Sequence, residues 1–129
     1  MEDYVSFEQA KALKELGFDI PTRYYYWIMF PEELKEGIVV ADHNTEDSEN
    51  HFSAPSLYQA KKWFIDKFSL VVSSLPCVTD PNVDVLKWRY YVDKYNPYII
   101  QEGSIKVYDY FEEALSAGID RALQILKEK

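Results

Sequence analysis

Arg23-Tyr24-Tyr25-Tyr26-Trp27-Ile28-Met29-Phe30 decides how the chain is read. The run is aromatic, has no helical period, and predicts a strand. Pro31 closes it, residues 32–37 read as a turn, and Ile38-Val39-Val40-Ala41 return as a second strand, making a hairpin. Side chains alternate across a strand, so Tyr24, Tyr26 and Ile28 face one way and Tyr25, Trp27 and Met29 the other. One of these faces has to cover helices.

Helix signals flank the hairpin. Before it, Ser6 and Gln9 have capping-box spacing, Phe7, Ala10, Leu13 and Leu16 form an apolar stripe, and Gly17 marks a stop, which predicts a helix over 7–16. After it comes a polar loop, 42–54. A second helix opens behind Pro55, again with Ser56 and Gln59 in capping-box spacing and a stripe of Leu57, Ala60, Phe64 and Phe68. Leu70-Val71-Val72 reads as a short buried strand, and 85–92 alternates at strand period, with Trp88 and Tyr90 opposite Arg89 and Tyr91. Tyr98-Ile99-Ile100 and Ile105-Lys106-Val107-Tyr108 flank Glu102-Gly103 as a tight hairpin or one bent strand. The last helix has Asp109 as its N-cap, with Glu112 three residues on. Phe111, Ala114, Leu115, Gly118, Ile119, Ala122, Leu123 and Leu126 make a continuous apolar face. Gly118 on that face predicts a close approach to a strand rather than a hinge. The likeness between Ser6-Phe-Glu-Gln-Ala-Lys11 and Ser56-Leu-Tyr-Gln-Ala-Lys61 is read as shared helix-start chemistry before duplication.

The expected fold is therefore α+β over a single domain, 1–129, in the order α-β-β-α-β-β-(β)-α. Three helices pack on one mainly antiparallel sheet of four to six strands. At 47% hydrophobic and 28% charged, the 129 residues are enough for one core. The single cysteine, Cys77, excludes an internal disulfide and a multi-cysteine zinc site. No apolar run approaches the roughly 20 residues of a membrane helix. Met1-Glu2-Asp3 lacks a signal-peptide start, so a cytoplasmic location is expected.

Fourteen Lys+Arg against 22 Asp+Glu give a net charge of −8. Bulk charge of that sign disfavours binding to phosphate backbones. The acidic segment 42–49 admits a nucleic-acid mimic instead. His43 and His51, in the same loop, are weak metal-ligand candidates, because counting from Asp42 the calcium-loop pattern fails at its sixth residue, Asp47, and its twelfth, Ser53. Cys77 has no histidine near it in sequence, no serine occupies a nucleophile elbow, and the glycines at 17, 37, 103 and 118 are isolated. No catalytic constellation and no cofactor motif is present, so an enzyme is not expected. What stands out is the aromatic content, 16% of the chain. Tyr25, Trp27, Arg89 and Tyr91 are the candidate binding residues.

The blocks beginning Ser6-Phe-Glu-Gln-Ala-Lys-Ala-Leu-Lys-Glu-Leu-Gly-Phe-Asp19 and Pro21-Thr-Arg-Tyr-Tyr-Tyr-Trp27 resemble a group of small proteins from gut Bacteroidales and their phages or mobile elements. Ala54-Pro-Ser-Leu-Tyr-Gln-Ala-Lys-Lys-Trp63 and Tyr110-Phe-Glu-Glu-Ala-Leu-Ser-Ala-Gly-Ile119 are similar too, and residues 32–50 match least. The resemblance spans most of the chain and carries no established activity or site residues. It implies a context, an accessory protein of mobile-element origin. The functional expectation is a non-enzymatic interaction protein with a protein partner or self-association, using an aromatic sheet face or the acidic loop. An acidic inhibitor of a nucleic-acid-acting enzyme is the alternative, and a metal-dependent enzyme using His43 and His51 comes last.

Overall fold

A computed structural model describes residues 3–44, 50–77, 86–94 and 100–128. Along the chain run α1 (Phe7–Glu15), β1 (Thr22–Trp27), β2 (Phe30–Ala41), β3 (His51–Ser53), α2 (Leu57–Phe68), β4 (Leu70–Cys77), β5 (Lys87–Lys94), β6 (Ile100–Gly103) and α3 (Phe111–Lys127). The class is α+β with antiparallel pairing, as the patterning predicts. The strands, however, divide between two three-stranded sheets, β2-β1-β3 and β4-β5-β6, where one sheet was expected. Each sheet closes within its own stretch of sequence, and the chain forms two compact units, Met1–Ala60 and Lys61–Lys129.

In the first unit, Ser6 and Gln9 form the expected capping box. The Ser6 Oγ accepts from the Gln9 N–H at 3.2 Å, and Gln9 Oε1 accepts from the Ser6 N–H at 2.8 Å. The helix stops because Gly17 takes φ +92. The Gly17 N–H then reaches the Lys14 carbonyl at 3.0 Å and the Phe18 N–H reaches Leu13 at 3.0 Å, a Schellman motif that buries Phe18 beside Leu13. Thr22 and Tyr26 of β1 are buried, and Phe7 meets Tyr26 and Phe52 edge-on at 5.9 and 5.3 Å. The Tyr26 hydroxyl donates to the Val5 carbonyl at 2.7 Å.

The hairpin turns earlier than the sequence suggests. Trp27 pairs with Phe30, so Ile28 and Met29 alone make the turn, and residues 32–37 belong to β2. Pro31 does not end a strand, because β2 is an edge strand and a missing N–H there costs no ladder bond. The charges of Glu32, Glu33 and Lys35 then guard that edge against pairing with another chain. The polar loop also holds the short strand β3, whose Phe52 and Ser53 are buried.

The second unit is built on β5, paired along its length with β4 (Val72↔Val92, Ser74↔Tyr90, Leu75↔Arg89, Cys77↔Lys87) and then with β6. α3 lies on the face carrying Val72, Tyr90 and Val92. There the Trp88 ring meets Phe111 edge-on at 5.3 Å, and the Ser74 hydroxyl donates to the Phe111 carbonyl at 2.9 Å. Its Ala114, Leu115, Ile119, Ala122, Leu123, Ile125 and Leu126 are buried, and each large one contributes roughly 1.5–3 kcal/mol. Gly118 is a close-approach glycine, as expected. The N-cap of α3 is Tyr110, with no side-chain cap, and not Asp109, whose carboxylate is held by Lys87. The chain after β6 is the bent-strand alternative. It leaves β5 at Ser104, whose N–H donates to the Tyr90 carbonyl at 3.0 Å, and rejoins it at Tyr108, which exchanges two backbone bonds with Trp88 at 2.8 Å each.

Candidate functional site

Alternation puts Tyr25 and Trp27 on the face of β1 opposite the buried Tyr26. Register then recruits neighbours. On β3, His51 stands across from Trp27 and Ser53 across from Tyr25; on β2, Phe30 stands across from Trp27 and Lys35 across from Tyr25. His43 arrives from the segment after β2. Its backbone N–H donates to the Ser53 Oγ at 2.9 Å, and its Nε2 lies 3.0 Å from the Thr22 carbonyl. A carbonyl only accepts, so that contact requires the Nε2–H tautomer. Asn44 fixes the same segment by donating to the Phe18 carbonyl at 3.1 Å and accepting from the Ser53 N–H at 2.8 Å.

The result is a row of five rings. Phe30 lies 5.3 Å from Trp27 (centroid to centroid), Trp27 stacks on His51 at 6.4 Å and 11°, His51 tilts against Tyr25 at 5.5 Å, and Tyr25 stacks on His43 at 4.8 Å and 28°. Ring pairs of this kind contribute about 0.5–1.5 kcal/mol each beyond area burial. Tyr25, Trp27, His43 and His51 are half-buried, while the end of the row at the turn is open: Ile28, Met29 and Phe30 are 46%, 66% and 48% exposed. Two-residue hairpin turns favour glycine and asparagine, so an apolar pair at this tip is not there for the turn. Four of the five charged side chains of the hairpin pair off, Arg23 with Glu36 at 3.1 Å and Lys35 with Glu33 at 3.3 Å, which leaves Glu32 as its net charge.

The four expected binding residues fall two and two. Tyr25 and Trp27 belong to the row in the first unit. Arg89 and Tyr91 lie in the second unit, on the β5 face turned away from α3, both half-buried. The Tyr91 ring covers Gly103 across the strands, so closely that a Cβ at 103 would sit 2.9 Å from the Tyr91 Cε1. That is packing work, an aromatic side chain shielding the bare backbone of a glycine. Arg89 has its Nε buried without a hydrogen-bond partner among the described residues.

His43 and His51 are brought to the same strand as ring partners of Tyr25. Among the described residues, no group of three or more His, Cys, Asp or Glu is placed to hold a metal ion. The acidic segment 42–49, on which the nucleic-acid-mimic expectation rests, lies outside the described residues from 45 to 49. No described helix is long and apolar enough to cross a membrane. Sequence reasoning missed Phe30, His43 and His51 as members of an aromatic row. The available signal was the hairpin register, since a turn at Ile28-Met29 sets Phe30 against Trp27. Comparison with protein-family models, with curated protein sequences and with solved structures finds no match for the chain.

Proposed function

We propose that the chain is a non-enzymatic interaction protein, a cytoplasmic accessory protein that assembles with a second copy of itself through the ring row of its first hairpin. The observation that carries this reading is the row Phe30–Trp27–His51–Tyr25–His43, open at the exposed tip of Ile28 and Met29. Rigid half-buried rings beside a protruding apolar tip have the composition of an interface centre. A twofold dimer sets one patch against its own copy, so the patch must tolerate itself. Two copies of this hairpin meet without strong like-charge repulsion, because Arg23, Glu36, Lys35 and Glu33 are already paired off, although the whole chain carries −8.

Light scattering coupled to size exclusion over a range of protein concentrations tests the reading. The wild type is expected as a dimer, and Met29→Glu, at an exposed turn position where the fold is not at stake, as a monomer with unchanged circular dichroism. A wild type that stays monomeric at every concentration overturns it, as does a dimer that Met29→Glu and Phe30→Glu leave intact.

A further inference from the structure

Met29 is one of two methionines in the chain, the other being Met1. It is the second residue of the two-residue turn between β1 and β2, which Trp27 and Phe30 close by pairing. It stands at the outer end of the ring row, 66% exposed, between Ile28 at 46% and Phe30 at 48%. Trp27 behind it is half-buried and lies 5.3 Å from Phe30. The free chain gains little from an apolar side chain there, because water reaches most of it and a turn of this length favours glycine or asparagine. Strand pairing holds the backbone on both sides of the turn, so a change confined to the Met29 side chain leaves the fold in place.

The thioether has one property that Ile28 and Phe30 lack. Mild oxidants convert it to a sulfoxide, a polar group in place of an apolar one, and methionine sulfoxide reductases undo the change. With a peroxide, a sulfur lone pair attacks one peroxide oxygen, the S–O bond forms and the O–O bond breaks. The other oxygen leaves as water, so the sulfur loses two electrons and the peroxide gains them. We infer that Met29 is a reversible oxidation site that switches the ring-row dimer off, an inference that rests on the self-association proposed above. The effect is differential. In the free chain the sulfoxide oxygen is hydrated and costs little. In the dimer both copies carry it into an interface of apolar tips and rings, where a polar group without a partner loses its water. A modification that penalises one state and spares the other moves the equilibrium between them. Because the dimer covers the tip, oxidation acts on the free chain and draws the dimer down by mass action.

The test treats the wild-type chain with hydrogen peroxide and confirms the added oxygen on Met29 by peptide mass mapping. The dimer is then measured by light scattering coupled to size exclusion over a range of concentrations. Dithiothreitol in the run clears disulfides formed at Cys77 and leaves a sulfoxide in place. The oxidised chain is expected to dimerise about tenfold more weakly, with unchanged circular dichroism, and a methionine sulfoxide reductase should restore the original Kd. In a half-oxidised sample the dimer fraction should carry Met29 as the thioether, whatever the state of Met1. An oxidised chain that dimerises as tightly as the untreated one overturns the switch and leaves the ring-row dimer standing. So does a weakening that the reductase fails to reverse, that follows Met1, or that comes with a changed circular dichroism spectrum. An untreated chain that is monomeric at every concentration overturns both.

Discussion

Ser69 is the one non-glycine residue with positive φ among those described, at +53, where the chain leaves α2 for β4. A side chain in the left-handed region costs about 1–2 kcal/mol, and glycine relieves it while giving back part of that gain as unfolded-state entropy. Ser69→Gly should therefore raise the stability by about 0.5–1 kcal/mol, seen as a higher urea midpoint with unchanged slope. Gly17 does the same job at the end of α1 with the residue that suits it. Pairs such as these show why residue-scale reading of the sequence succeeds at helix ends. Ser6 with Gln9 and Ser56 with Gln59 both close their capping boxes, the latter at 3.1 and 3.0 Å, because the chemistry is complete within four residues. It fails at Asp109, where a lysine two strands away in sequence takes the carboxylate before the helix does.

At the scale of elements, α3 sits so close to the second sheet that a Cβ on Gly118 would lie 2.7 Å from the Val72 Cγ1 and 2.9 Å from the Tyr90 Cβ. Gly118→Ala should destabilise by about 1–3 kcal/mol, the usual range for overpacking. Val72→Ala removes one of the two obstacles, so the double variant should be less destabilised than the sum of the singles, which a double-mutant cycle by chemical denaturation reads directly. Elements with a long apolar period were legible: α1, α2 and α3 lie where the stripes put them. Strands were legible in existence and less so in extent. The β1–β2 turn was hidden because Ile28 and Met29 are not turn formers and Pro31 resembles a terminator. The strand β3 is three residues long and takes its place from its partner β1, not from its own composition. For the same reason Tyr25 and Trp27 could be singled out from sequence, while the histidines that stack on them could not. Sequence spacing says nothing of which loop residue will reach a given ring.

Over the whole molecule, charge and burial set the pH range in which the fold holds. Arg121 grips Glu102 with two hydrogen bonds, at 2.7 and 3.0 Å, and holds its carboxyl below the ordinary range. A depressed carboxylate contributes stability that is present above its ordinary value near 4.3 and lost as the pH falls through the lowered one. Arg121→Met should therefore cost stability at pH 7 and much less at pH 3, a comparison that urea titrations at the two pH values make. At the other end, burial raises Tyr26 and Tyr90, one in each unit. Their contribution is intact below the ordinary tyrosine value near 10 and fades as the pH rises through the raised ones. The strand β4 ends at Cys77, half-buried and two residues past Leu75 on the face that holds Arg89. As the sole cysteine in 129 residues, it is a built-in attachment point. A fluorophore coupled there needs no engineered thiol and no background correction. Its emission would report directly on whatever settles against that face of the second sheet.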